Sequence, residues 1–327
     1  MSRFIVQQIG RFVLLMLAVS IVTFVLVGIS PIDPLQANMG QTALMNMSAE
    51  KRAQLAAYWG VDTPIWERYI EWFMGAIHGD MGMSLRFNAP VMDVISWRAG
   101  NSLLLMGTAW VLSGVLGFAL GIVSGLTKGS VLDRIIKLYC YVLVSTPTFW
   151  LGLVALMFFG VTLGWFPIGF SVPIGMSAED VTILDMVHHM ILPALVLSFI
   201  GVANIALHTR EKVIDVMESN FIRFALAQGK TKRQAFKEHG FRNVALPALT
   251  LQCGSIAEIF GGSVLVEQVF SYPGLGQAAV TAGLGGDAAL LVGISLVSAL
   301  FVFGGNLFAN VMYGVIDPRM RKGGRHV

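Results

Sequence analysis

Six apolar stretches, at roughly 10–30, 101–126, 138–163, 190–208, 244–266 and 288–313, leave this 327-residue chain few ways to fold. A hydrocarbon layer about 30 Å thick is crossed by ~20 helical residues. Inside it every backbone N–H and C=O must find a partner within protein, which a helix supplies and an isolated strand does not. The expected fold class is therefore all-α, a polytopic membrane protein of about six transmembrane helices. These spans are spread along the whole chain, so a single membrane domain is expected over 1–327. Composition agrees: 55% of residues are hydrophobic, 13% are charged and 36 are glycine, which is common in spanning helices.

Charge supplies the orientation. Of the 22 Lys and Arg, 17 fall in segments assigned to one side. They are Arg3, Arg11, Lys128, Arg134 and Lys137, the basic residues from Arg210 to Arg242, and those from Arg319 to Arg325. The connection 31–100 holds the other five beside seven acidic residues. Cytoplasmic loops carry the Lys and Arg excess, so both termini are expected in the cytoplasm and 31–100 outside. The net charge of +3 follows from that bias and does not point to nucleic acid. The first apolar run follows Arg3 and Arg11 as a secretory signal would. It is too long for one and ends in Ser30-Pro31-Ile32-Asp33-Pro34, so it is read as a retained helix. Cys140 and Cys253 fall inside spans without a CxxC pair and read as packed thiols.

The external loop 31–100 is expected to be helical. Ser48 precedes a short helix reaching Trp59, with Gly60 as its stop. A second helix starts at Thr63 with Pro64 in its first position. Its Ile65, Trp66, Tyr69, Trp72, Phe73 and Ile77 suit either a helix lying on the outer membrane surface or a cap packed on the bundle. Pro147, Pro193 and Pro247 interrupt spans three, four and five. Broken helices can line a transport path, and proline kinks also occur in ordinary spanning helices.

The densest positive charge lies in "RFALAQGKTKRQAFKEHGFRNVALPALT", Arg223 to Thr250. Its Gly229-Lys230-Thr231 is the tail of a nucleotide-binding loop, but that motif needs glycine at 224, where Phe224 stands, and a preceding strand. The residues describe two short helices instead. Gly229 closes one in a left-handed conformation, and Thr231 with Gln234 forms a capping box for the next. Phe221, Phe224 and Ala225 share a face, with Ala225, Ala227 and Gly229 keeping the surface low. Such a hairpin fits a partner's groove, or rests its basic residues on anionic lipid.

Arg223, Ala225, Ala227, Gly229, His239, Arg242, Asn243, Leu246 and Pro247 stand in a pattern that resembles the cytoplasmic coupling loop of ABC importer permeases. The branch is that of dipeptide, oligopeptide and nickel uptake. The similarity extends through "GDMGMSLRFNAPV" (79–91), "STPTFWLGL" (145–153), "GGSVLVEQVFSYPGLG" (261–276) and "VIDPRMR" (315–321). The resemblance implies a permease subunit in a bacterial inner membrane that forms half of an alternating-access pathway. Residues 209–243 would then be the coupling loop, with Arg223, Ala225, Ala227, Gly229 and Thr231 at the ATPase contact. It also implies a second homologous permease, two ATP-binding subunits that carry ATP and magnesium, and an external solute-binding protein. This chain itself would bind no cofactor or metal and hold no catalytic residue. The cargo would be a peptide or a nickel or metal-chelate species.

Pro147, Phe149, Trp150 and Glu258 are the candidates for the translocation pathway. A carboxylate in a span is costly and should face a polar cavity or a partner; sharing a face with Gly254, Gly261 and Gly262, Glu258 equally suits a subunit interface. A stand-alone secondary transporter is the alternative, but it favours several embedded ionisable groups, and only Glu258 lies clearly inside a predicted span. An intramembrane protease lacks HExxH, GxSxG and GxGD motifs. His188 and His189, at the outer mouth, read as metal contacts or as interfacial polar groups. The charge pattern predicts that Gln54→Cys and Gln234→Cys label from opposite faces of the membrane with an impermeant thiol reagent. Labelling from one face would overturn the topology.

Overall fold

A computed structural model describes residues 2–59, 63–175 and 180–316. Gly60 and the basic residues from Arg319 onward lie outside the described residues, as does most of the 315–321 motif. Among the described residues the regular elements are helices and one antiparallel ribbon. Four helical segments are long and apolar enough to cross a membrane: Gly10–Gly28, Val91–Leu126, Ile183–Met217 and Ala288–Ala309. Two further pairs qualify only together, Val131–Ser145 with Thr148–Thr162, bent by 107°, and Lys232–Gly254 with Ile256–Val269, bent by 50°. Counting each bent pair as one span gives six.

Only one of the three prolines sits at a break. Thr146 (ψ 130°) and Pro147 (ψ 134°) are extended, and the helix restarts at Thr148; the residue before a proline is pushed out of the α region. Pro193 lies inside an unbroken Ile183–Met217 helix. Pro247 also lies inside its helix, Phe241–Gly254, and the fifth span breaks at Ser255 instead. There the Ser255 N–H donates to the carbonyls of Leu251 and Gln252, and its hydroxyl donates to the Gln252 carbonyl at 2.9 Å. The freed backbone groups are thus satisfied locally, as hydrocarbon requires.

Within the domain expected for 1–327, the chain forms two compact units. The first comprises Met1–Ser102 and Pro273–Phe303. Its elements are α1 (Ser2–Gly28), α2 (Pro34–Met39), α3 (Gln41–Met45), α4 (Ala49–Tyr58), α5 (Ile65–Ile77) and the ribbon β1 (Met83–Ser84) with β2 (Ala89–Pro90). It also holds the start of α6 (Val91–Leu126). Ser48 caps α4 as expected, accepting from the Lys51 N–H. The next helix begins one residue later than expected, because Pro64 (φ −54°, ψ 141°) is extended and acts as the cap. Tyr69 and Trp72 of α5 pack on Phe24 of α1, and the Tyr69 hydroxyl meets that of Ser20 at 2.9 Å. Trp66, Ile70, Met74 and Ile77 stay exposed on the other side.

The "GDMGMSLRF" segment has a structural use here. Gly79 and Gly82 both take positive φ, conformations that favour glycine. Ser84 donates to Asp287 Oδ2 at 2.6 Å, and the Arg86 N–H donates to the same oxygen at 3.1 Å. The other Asp287 oxygen accepts from the Leu290 N–H, in the first turn of the last long helix.

The second unit comprises Leu103–Tyr272 and Gly304–Val327. Beyond the rest of α6 it holds α7 (Val131–Ser145), α8 (Thr148–Ala155) running into a π-helical turn at Leu156–Thr162, and α9 (Ile183–Met217). There follow α10 (Asn220–Ala227), α11 (Lys232–Ala235) with a π-helical turn at Phe236–Gly240, α12 (Phe241–Gly254) and α13 (Ile256–Val269). Helix α9 is the most buried of the four unbroken spanning helices. Helix α6 packs on it through Gly117, Gly121 and Gly125, one residue per helical turn on a single face. A Cβ at Gly121 would lie 2.5 Å from Thr209 Cβ and 2.7 Å from the Ala206 carbonyl. Backbones approach this closely only across small residues. Gly121→Ala should therefore lower unfolding stability in detergent by about 1–3 kcal/mol, the usual cost of overpacking. Gly107→Ala, whose Cβ would meet nothing within 4 Å, should not. Equal effects of the two substitutions would contradict this packing.

Candidate functional site

The basic stretch forms the expected hairpin. Gly229 has φ +86°, and the Thr231 capping box is complete, with the Gln234 N–H donating to Thr231 Oγ1 and the Thr231 N–H to Gln234 Oε1. The exposed face differs from the one expected. Ala225 is 2% exposed and points inward with Ile222 against Val213, Val216 and Phe236. The outward face of α10 carries Phe221 (44% exposed) and Phe224 (65%), with Arg223 and Ala227 also exposed. A Cβ on Gly229 would meet nothing within 4 Å, so this position borders open space. The reason is helical phase: Ile222 and Ala225 share one side of the turn, Phe221 and Phe224 the next.

The two helix breaks converge. Thr148, the first residue after the Pro147 break, lines the same hollow as Ser255 and Glu258 from the other break. Leu197, Ile200 and Gly201 of α9, with Ile259 and Gly262 of α13, complete its wall. Glu258 lies in the first turn of α13, not in mid-helix, where the helix dipole accommodates negative charge. A charge buried among lipid costs about 2.5–3.5 kcal/mol on insertion scales; Glu258 is exposed and lies at the rim of a small hollow. Its Oε1 accepts from Asn204 Nδ2 at 3.4 Å. Phe149 (45% exposed) and Trp150 (51%) do not line the hollow; they follow Thr148 on α8 with their rings outward.

Residues 117–322 match the family described as binding-protein-dependent transport system inner membrane component. Residues 1–103 match the companion description, binding-protein-dependent transport system membrane component, N-terminal. The chain belongs to this family. It is a permease subunit of an ABC importer. The oligopeptide transport system permease protein AppB of Bacillus subtilis is similar, 32% identical over 321 residues that cover 98% of this chain and 99% of that one. The dipeptide transport system permease protein DppB of Escherichia coli K12 is 30% identical with the same coverage. A putative peptide permease protein of Brucella suis is 34% identical over 308 residues, covering 94% of this chain and 95% of that one.

In this permease His188 and His189 are both held by backbone. His188 Nε2 lies 2.9 Å from the Trp165 carbonyl, and His189 Nδ1 lies 2.9 Å from that of Gly169. Each of these nitrogens must therefore carry its hydrogen to bond. Among the described residues no group of three or more His, Cys, Asp or Glu is placed to hold a metal.

Two further acids are buried near the ends of spanning helices. Glu267 lies fully buried in the last turn of α13, and Asp133, 1% exposed, lies in the first turn of α7. Asp133 clamps the α6–α7 turn to α9. It accepts from Arg210 Nε at 2.6 Å and Nη2 at 2.9 Å, from Ser124 Oγ at 2.6 Å, and from the Gly129 N–H at 2.9 Å. The pair stands just ahead of the hairpin in the chain. By contrast Lys128 and Glu218 pair in the open at 2.8 Å, where the ammonium holds the carboxyl below its ordinary range.

Several of these residues were not singled out in the sequence. Asn204, Ser255 and Asp133 are polar positions interrupting apolar helices, and Gly117, Gly121 and Gly125 repeat every fourth residue; both signals are readable once sought. Arg210→Ala would leave Asp133 buried without its cation, which typically costs about 3–5 kcal/mol. The permease should lose that stability in denaturant titrations, whereas Lys128→Ala should leave the midpoint in place. Equal midpoints for wild type and Arg210→Ala would rule out the clamp.

Proposed function

We propose that this permease forms half of the translocation pathway of an ATP-driven peptide importer in a bacterial inner membrane, with both termini in the cytoplasm. A second, homologous permease supplies the other half, and an external solute-binding protein delivers the cargo. Two ATP-binding subunits bind ATP and magnesium and carry out hydrolysis; this chain binds no cofactor and catalyses no reaction. The names of its relatives, oligopeptide, dipeptide and putative peptide permeases, favour peptides over the nickel or metal-chelate cargo.

The observation that carries the coupling role is the exposed face of α10. Phe221 and Phe224 present large apolar area to solvent at a loop rich in basic residues, and an exposed aromatic pair at a low-profile turn suits a partner's cleft. Arg223, Ala227 and Gly229 border that face; the buried Ala225 anchors the hairpin from within, and the exposed Thr231 cap restarts its second helix. The pathway runs past Pro147 and Glu258, where two spans are broken, and Phe149 and Trp150 face the companion permease. Support comes from the convergence of both breaks on one hollow and from the habit of transporters to place binding at discontinuous helices.

Reconstitution with partner ATP-binding subunits and binding protein tests this reading. Peptide uptake should require ATP. Gly229→Leu places a side chain where φ is positive and obstructs the docking face. It should lower both pull-down of the ATP-binding subunit and uptake by about tenfold, equivalent to ~1.4 kcal/mol, while membrane insertion is retained. Unchanged uptake by this variant would refute the docking role.

A further inference from the structure

The geometry points to the Glu258 hollow as a subsite for a primary ammonium group, the free amino terminus of a peptide in transit. This rests on the peptide reading above.

The hollow is small, about 20 Å3. That is room for about one water-sized group, so it admits the head of a chain and not a whole residue. Its wall is mostly apolar, and its polar side chains are those of Thr148, Ser255 and Glu258. Glu258 offers a carboxylate, of which only Oε1 is engaged among the described residues, and that through the long 3.4 Å contact from Asn204. The Ser255 hydroxyl spends its hydrogen on the Gln252 carbonyl, leaving its lone pairs to accept, and Thr148 also lines the wall. An ammonium has three hydrogens to donate and no acceptor. A carboxylate beside the Ser255 hydroxyl offers acceptors for that demand.

Charge fits as well. Among the described residues no Lys, Arg or His lies within ion-pair distance of Glu258. The hollow lies where the broken spans meet, so an arriving cation would come upon it along irregular backbone, which at membrane depth is tolerated only beside water or protein. A peptide's α-amino group, with a pKa of roughly 7.7–8.0, is largely charged at neutral pH whatever the side chains. A subsite for it would serve peptides of varied sequence. One weak, exposed charge would hold such a group only in passing, as conduction requires.

The test uses the assembled transporter in membranes, in a Cys140→Ala, Cys253→Ala background with a reporter thiol on the hollow wall at Ile200→Cys. Gly262→Cys serves as a second reporter should the first not assemble. The cationic reagent methanethiosulfonate ethylammonium should react faster than the anionic ethylsulfonate, by at least about tenfold, as expected for a cleft of one charge. Adding Glu258→Gln should abolish that preference, and Glu258→Asp should retain it. A peptide with a free amino terminus should slow labelling, and its N-acetylated form should not. Equal rates for the two reagents, or no reaction at either reporter in an assembled complex, would overturn the subsite. Failure of wild-type transporter to take up any peptide would instead overturn the peptide reading, since the charge preference of labelling does not depend on cargo.

Discussion

Backbone polarity in hydrocarbon is the constraint on which the rest of this structure depends. Every N–H and C=O within a span must be bonded inside the protein, so departures from helix are confined to places that can bond their own loose ends. Two such places exist among the described spans, at Thr146-Pro147 and at Ser255. At the second, the serine hydroxyl and N–H together take up the Gln252 and Leu251 carbonyls. The irregular backbone and the polar side chains arrive together because each makes the other tolerable. The hollow with Glu258 on its rim follows from that coupling.

Within the second unit, α9 is the element against which other helices are fitted. Lipid offers no hydrophobic drive for helices to associate, so contact must come from close packing and polar bonds. The Gly117, Gly121 and Gly125 face supplies the first, bringing α6 backbone against Ile205, Ala206 and Thr209. Asp133 and Arg210 supply the second, in a two-pronged bond backed by Ser124 and the Gly129 N–H. One acts through the absence of side chains and the other through a satisfied buried charge. Both hold the end of α9 from which the chain passes into the basic hairpin.

That hairpin has its own logic. A positive φ at Gly229 turns the chain, a capping box restarts the helix, and Ile222 with Ala225 anchors it to α9. Its outer face is free of structural duty and carries Phe221 and Phe224. The division of labour between inner and outer faces is what allows a rigid element to present apolar surface to a partner.

The class of fold, the apolar segments that form the spanning helices, the hairpin with its glycine turn and cap, and the family were all legible in the sequence. Each depends on near neighbours in the chain: twenty consecutive apolar residues, a Thr three before a Gln, a motif in order. What only tertiary structure decided depends on helical phase and on contacts between distant segments. Phase turned Ala225 inward and left Phe224 outward, a difference of one residue that alternating small and aromatic positions do not announce. Packing kept α9 unbroken through Pro193 and moved the fifth break from Pro247 to Ser255, because a spanning helix tolerates proline when its freed groups are bonded nearby. The meeting of Thr148, Asn204 and Glu258 joins residues more than fifty positions apart, and no local pattern encodes a distance in space.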